Sequence, residues 1–182
     1  MRLNTLDNDG YRPNVGMVIF NGHGQVLWAR RVKQNTWQFP QGGIKDDESE
    51  EEAMYRELYE ELGLTCHDVY IAQTSRNYHR YRVPKRMLNE YRDRNYQGQK
   101  QRWFLLGLND DERLDSAVKF NNCKHPEFDR WRWVSYWYPL RNVITFKQDV
   151  YRKILVEFAP TVLRLDLTRH NAAWAAWDYV VK

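Results

Sequence analysis

Residues 46–61 carry nine acids and one base, Arg56, yet every local signal in the stretch is helical. Ser49 followed by Glu52 is the reciprocal capping pair that opens a helix, and acids crowd the first turn, where the helix dipole favours them. The helix is expected to reach Leu62, with Gly63 as its left-handed stop. The spacing puts Glu57, Glu60 and Glu61 on one face and Tyr55, Leu58 and Leu62 on another, which can anchor the helix to a core. Like charges so placed repel by about 0.2–0.5 kcal/mol per pair. A solvated acidic face is one reading, but such helices usually relieve the repulsion with lysines, and none occurs here. The pattern fits cations lodged among the glutamates. Carboxylate oxygens suit Mg²⁺ or Mn²⁺, and there is no His/Cys cluster for zinc. Two or more such ions can clamp both oxygens of an in-line displacement at phosphorus. Gly42-Gly43, read as a loop before the helix, can bring backbone carbonyls to the same ions.

The acidity is confined to this strip. Over 182 residues the net charge is +4, and the 166 residues outside the strip carry 27 bases against 15 acids. With eight Trp and twelve Tyr, a basic, aromatic-rich surround leans toward phosphate-bearing partners whose bases can stack. An apolar content of 42% excludes intrinsic disorder. The longest apolar run, residues 15–20, is far short of the ~20 residues of a membrane span, so no membrane partner is expected. The N-terminus has no apolar stretch for a signal peptide, and two cysteines, Cys66 and Cys123, form no framework. A reducing compartment, the cytoplasm, follows.

No repeat, linker or composition break divides the chain, so one domain is expected. Residues 15–20 and 25–32 read as a hairpin about Asn21-Gly22, and residues 37–40 as a short extended piece. Residues 69–76, 78–83, 100–108 and 130–134 read as further strands, and 149–158 as a second helix. The interleaving predicts an α/β fold with a mixed sheet between helices. Residues 170–182 resist assignment, with Trp174 and Trp177 either docked or loose.

From Gly42 the sequence reads Gly-x5-Glu48-x7-Arg56-Glu57-Leu58-x-Glu60-Glu61-x-Gly63-Leu64. This matches the Nudix box at every specified position. The chain further resembles a narrower group, the bacterial RNA 5′-pyrophosphohydrolases and the related diadenosine tetraphosphate hydrolases. The similar stretches are Gly10-Tyr11-Arg12-Pro13-Asn14-Val15-Gly16, Trp37-Gln38-Phe39-Pro40-Gln41-Gly42-Gly43-Ile44, Gly98-Gln99-Lys100-Gln101-Arg102-Trp103-Phe104, Pro126-Glu127-Phe128-Asp129 with Trp131, Trp133 and Val134, and Phe146-Lys147 with Asp149-Val150-Tyr151. The resemblance implies a Nudix α/β/α sandwich over residues 7–160, with 161–182 as a C-terminal extension. It implies metal-dependent hydrolysis of the 5′ di- or triphosphate end of RNA to a 5′-monophosphate, with release of pyrophosphate or phosphate, which promotes mRNA decay. The alternative substrates are dinucleoside polyphosphates. A catalytically dead module that binds RNA or protein is a third reading, against which stands the complete set of box glutamates.

Carried over by position, Glu57, Glu60 and Glu61 resemble the family's metal ligands, with the Gly42 or Gly43 carbonyl beside them. Arg56 is expected to orient a glutamate, and Glu48 to hold that arginine or a metal-bound water. Glu60 is favoured as general base, with Glu127 as an alternative base or a further ligand. Arg12, Arg31, Lys100 and Lys147 are the candidate phosphate contacts. Arg31 is preferred to Arg30 because neighbours on a strand point to opposite faces. Phe146 is read as stacking the first base or as core, and Gln99 as a hydrogen-bond partner for base or phosphate. Residues 76–102 carry nine Lys and Arg against two acids, interleaved with Tyr78, His79, Tyr81, Tyr91 and Tyr96, and read as an RNA path or a solvated basic hairpin. Among Trp131, Trp133, Tyr136, Trp137 and Tyr138, the alternating members are expected to be structural. A protein activator and the oligomeric state are left open.

Overall fold

The computed structural model describes residues 6–85, 87, 95–110, 114–120 and 126–178, with side chains described outside 115–116 and 164–178. The elements in chain order are β1 (Tyr11–Phe20), β2 (Gln25–Arg31), β3 (Trp37–Gln38), β4 (Gln41–Gly43), α1 (Glu50–Leu62), β5 (Val69–Thr74), β6 (His79–Arg82), β7 (Gly98–Leu108), α2 (Leu114–Ala117), β8 (Phe128–Ser135), α3 (Tyr138–Asn142), a 3₁₀ turn (Thr145–Lys147) and α4 (Gln148–Asp178). All eight strands join one mixed sheet. Its spine runs β3-β2-β1-β7-β5, with β4 on β1, β6 on β7 and β8 on β2.

The expected hairpin exists only at its tip. β1 and β2 pair antiparallel with Phe20 opposite Val26, and then separate. Along its length β1 pairs parallel with β7 from Tyr11 to Phe20 and, near its start, antiparallel with β4. Alternation on β1 then divides the core. Val15, Met17 and Ile19 pack with Met54, Leu58 and Leu62 of α1 on one face. Val18 and Phe20 pack with Ile154, Leu155 and Phe158 of α4 on the other. This is the expected α/β sandwich with a mixed sheet between helices.

α1 forms where its local signals place it. The Ser49 hydroxyl accepts from the Glu52 N–H, the Glu52 carboxylate accepts from the Ser49 N–H, and Gly63 ends the helix at φ 75°. Two readings are corrected. Gln41–Gly43 is a strand, not a loop, and neither glycine has a positive φ. α4 is also far longer than residues 149–158. It passes through Pro160, and the boundary expected at 161 falls inside the helix, where Val162 is core. The backbone of Trp174 and Trp177 belongs to its last turns, but their side chains, like Cys123 and Tyr91, lie outside what is described. Among the described residues, no helix is long and apolar enough to cross a membrane.

An aromatic cluster seats β4. The Phe39 ring stacks on Tyr151 at 5.0 Å and meets Trp28 edge-on at 5.0 Å, while Trp103 closes on Tyr151 at 5.5 Å. The Phe39 N–H donates to the Tyr151 hydroxyl at 3.0 Å. Tyr136 is buried and its hydroxyl donates to the Leu155 carbonyl, whereas Trp137 is exposed. Tyr151→Phe leaves the buried Phe39 N–H without a partner and should destabilise the fold by about 1–3 kcal/mol, read from urea denaturation.

Candidate active site

On the α4 face, same-side residues of two strands change character toward one end of the sheet. β1 reads Phe20, Val18, Gly16, Asn14, Arg12, and β7 reads Leu105, Trp103, Gln101, Gln99. Where the apolar stripes stop, a cavity of about 380 Å³ opens. Arg12, Arg31 and Lys147 line it together with Glu57 and Glu127, and Gly42 and Gly43 form part of its wall.

Arg56 organises the acidic wall. Its Nε and Nη2 donate to the Glu48 carboxylate at 2.9 and 2.6 Å, Nη1 donates to Glu57 at 2.6 Å, and Nη2 also donates to the Gly43 carbonyl at 2.8 Å. The two-pronged pair is thus made with Glu48, and Glu57 is held by a single prong. Glu60 lies 3.5 Å from the same guanidinium. Gly42 is required because a Cβ there would fall 1.8 Å from the Glu57 carboxyl carbon.

The three box glutamates are not equivalent. Glu61 is 4% exposed, whereas the side chains of Glu57 and Glu60 are 15% and 42% exposed. Burial first, then the nearby Glu127 and Glu57 charges, push the Glu61 carboxyl well above the usual range. Burial also raises Glu57, against the pull of Arg56. Glu61 Oε2 accepts the Gln41 N–H at 3.0 Å, while its buried Oε1 has no donor among the described residues. No three acid, histidine or cysteine side chains among the described residues converge into a closed ligand cage. Three mutually repelling carboxylates with an orphaned buried oxygen nevertheless suit a hard divalent cation, which would relieve both the repulsion and the missing contact.

The cationic wall is held differently. Lys147 is buried, and its Nζ donates to Gln38 Oε1 at 2.8 Å and Gln41 Oε1 at 3.0 Å. Burial, reinforced by Arg31, pushes its pKa down to about 7. A register shift between Arg30 and Arg31 separates these two neighbours. Arg30 forms a bidentate pair with Asp129 at 2.8 and 3.0 Å, and Arg31 enters the cavity. The Val32 N–H donates to the Glu127 carbonyl, tying the loop that carries Glu127 to the end of β2. Arg12 Nε is buried without a partner among the described residues. Phe146 lines the cavity against the Tyr81 ring at 5.6 Å, and Gln99 lines it too.

Two expectations shift. Lys100 is not brought to the cavity. Gln99 and Gln101 face α4, so alternation turns Lys100 to the other side, 4.8 Å from the Tyr78 ring and 3.8 Å from Asp7. Neither Glu60 nor the buried Glu61 is among the cavity-lining residues, whereas Glu127 is. In the basic stretch, Tyr81 joins the cavity wall, Tyr96 is buried in the core, His79 lies 3.8 Å from Glu157, and Tyr78 is exposed. The residues missed are the neutral amides Asn14, Gln38, Gln41 and Gln101. For Asn14 and Gln101 the signal was the break in the apolar stripes of β1 and β7; Gln38 and Gln41 lie on β3 and β4 and carried no such signal.

The NUDIX domain family matches residues 10–155. The chain belongs to the Nudix family. An RNA pyrophosphohydrolase of Shewanella woodyi is 54% identical over 167 residues, covering 92% of this chain and 95% of its own. One of Shewanella piezotolerans is 55% identical over 166 residues, covering 91% and 94%. Among solved structures, the Escherichia coli dihydroneopterin triphosphate pyrophosphohydrolase superposes with a TM-score of 0.60 at 15% identity, covering 81% of this chain and 98% of its own. A Caenorhabditis elegans Ap4A hydrolase does so with a TM-score of 0.56 at 18% identity and the same coverage. These superpositions establish the Nudix fold. Within it, Glu57, Glu60 and Glu61 occupy the box helix, and Glu127 joins them from outside the box.

The raised acids carry a sign for stability. A carboxyl whose folded pKa exceeds its unfolded value stabilises below the unfolded pKa and loses that stabilisation as pH rises through the folded one. In the metal-free protein these acids should therefore favour melting at a lower temperature at pH 8 than at pH 5, while the depressed Lys147 and His79 act in the opposite direction. Glu61→Gln should raise the melting temperature in EDTA at pH 8 by about 2–6 °C, at ~2–4 °C per kcal/mol. The same substitution should shrink the stabilisation given by Mg²⁺, measured by calorimetry.

Proposed function

We propose that the chain hydrolyses the 5′ di- or triphosphate end of RNA to a 5′-monophosphate. The observation that carries this reading is the division of one cavity into an acidic wall of Glu57 and Glu127 and a cationic wall of Arg12, Arg31 and Lys147. A polyphosphate needs both, since metals neutralise it on one side and fixed cations on the other. The relatives named RNA pyrophosphohydrolase, at 54–55% identity across nearly their whole length, support the substrate class.

Mg²⁺ or Mn²⁺, as two or more ions, would be held by Glu57, Glu60 and Glu61, with Gly42 or Gly43 supplying a carbonyl and Glu127 adding a carboxylate. Such ions lower the pKa of water and stabilise charge on phosphoryl oxygens. The chain's own residues do the rest. Arg56, clamped by Glu48, fixes the Glu57 carboxylate. Glu127, which faces the cavity, is placed to take the proton of the attacking water, and Glu60 is the alternative acceptor. Arg12, Arg31 and Lys147 grip the phosphates. Phe146, set against Tyr81 at the cavity wall, offers a face for the first base. Gln99 offers an amide to the same end of the substrate. The action is intracellular, in the cytoplasm, on transcripts whose decay begins from a monophosphate end.

Turnover of triphosphate-ended RNA should exceed that of diadenosine tetraphosphate at equal concentration, and the reverse preference sinks the RNA reading. EDTA should abolish turnover. Glu57→Gln or Glu61→Gln should cut kcat by orders of magnitude with folding intact by circular dichroism. Glu48→Gln, acting through Arg56, should cost about 10–100-fold. Full activity in either ligand variant refutes the metal assignment.

A further inference from the structure

Gln41 is joined both to Lys147 on the cationic wall and to Glu61, which is buried behind the acidic wall. Its backbone N–H donates to Glu61 Oε2 at 3.0 Å. Its side-chain Oε1 accepts from Lys147 Nζ at 3.0 Å, and from Gln101 Nε2 at 3.3 Å. Its Nε2 donates to Gln99 Oε1 at 3.1 Å, the same oxygen that receives the Tyr81 hydroxyl at 2.6 Å. The ammonium fixes which way the amide points: Lys147 can only donate, so Oε1 faces it and Nε2 is left to donate to Gln99.

The partners of Lys147 are informative in kind. A buried lysine with a purely structural role is normally paired with a carboxylate, because an uncompensated buried charge is costly. Here both hydrogen-bond acceptors, Gln38 and Gln41, are neutral amides. They hold the ammonium in place without a bonded carboxylate, so an anion entering the cavity can take the place of a bonded counter-charge. Among the described residues the Gln38 side chain bonds to the lysine, whereas Gln41 also bonds to Glu61 through its backbone.

Resting on the reading above, we propose that Gln41 is a positioning residue that acts through Lys147. Its side chain sets the ammonium at the phosphate side of the cavity, at a spacing from the metal-binding carboxylates fixed by the bond from its own backbone to Glu61. The short strand β4 thereby serves both walls. Gln41 holds Lys147 and Glu61, Gly42 makes room for Glu57, and the Gly43 carbonyl accepts from Arg56.

A double-mutant cycle on the full chain tests this, with Gln41→Leu, Lys147→Met and the double variant assayed with Mg²⁺ on triphosphate-ended RNA and on diadenosine tetraphosphate. Gln41→Leu removes the side-chain acceptor and keeps the backbone N–H. Each single variant should lower kcat about 10–100-fold with KM little changed, and the double should fall no further than the worse single. The Mg²⁺ concentration for half-maximal rate should not move. Additive losses, full activity in Gln41→Leu, or a shifted Mg²⁺ requirement overturns the proposal. If thermal melting shows that Gln41→Leu does not fold, Gln41→Met, close in length and equally without the acceptor, takes its place in the cycle. The cycle is read on whichever substrate turns over faster. A preference for the dinucleotide would therefore defeat the RNA reading while leaving Gln41 to be judged on its own.

Discussion

The Arg56 guanidinium is shared among acceptors from three segments: Glu48 before the helix, Glu57 on it, and the Gly43 carbonyl on β4. Arg56 is the sole base in the acidic strip, and its planar fork makes several directed bonds where a lysine would make one point contact. Without it, loop, helix and strand would present carboxylates that repel one another and a carbonyl with no donor. The guanidinium converts a repulsive cluster into a frame. Glu57 then stands beside Gly42 with one oxygen committed to the arginine, and β4 lies close enough that only glycine fits opposite.

The acidic wall remains under electrostatic stress after that frame is built. Glu61 is buried among Glu57 and Glu127 with an orphaned oxygen. Across the cavity, Lys147 is equally short of an opposite charge at bonding distance and is held by amides. The protein could have joined these groups as a salt bridge, and keeps them apart instead. Each wall is left with unspent charge, and a metal-bound polyphosphate is a ligand that discharges both. The cost appears as the raised carboxyls and the depressed lysine.

Much of this was legible in the sequence because it is written in local terms. The helix over residues 50–62 needed only a capping pair, acids in the first turn and a glycine stop, all of which lie within one short segment. The pairing of Arg56 with Glu48 was one of the two roles that the Nudix resemblance implied for Glu48. What was hidden depends on long-range pairing. Gln41–Gly43 reads as a loop because two adjacent glycines suggest unusual backbone angles. They are in fact extended, and their small size serves the close approach of Glu57 and the pairing with β1. Lys100 lies beside Gln99 in sequence, alternation sends the two to opposite sides of the sheet, and the register of β7 against β1 shows that Gln99 is the one on the cavity side. The full extent of α4 was masked by Pro160, which ordinarily signals a helix end.

The neutral amides lie between these extremes, and they explain where specificity can reside. In the proposed reading the box glutamates would hold metals while Arg12, Arg31 and Lys147 grip phosphates, demands that every polyphosphate substrate shares. The residues that differ in kind are Asn14, Gln41, Gln99 and Gln101, which sit where the apolar stripes of β1 and β7 give out and bond to one another, and Gln38, which joins them through Lys147. Such a network admits few arrangements, since each carbonyl that accepts and each amide that donates constrains the next. It holds Gln41 in place and, through it, Lys147. A strand face that turns from apolar to amide to cation over five residues is therefore a site signal in its own right, independent of the box.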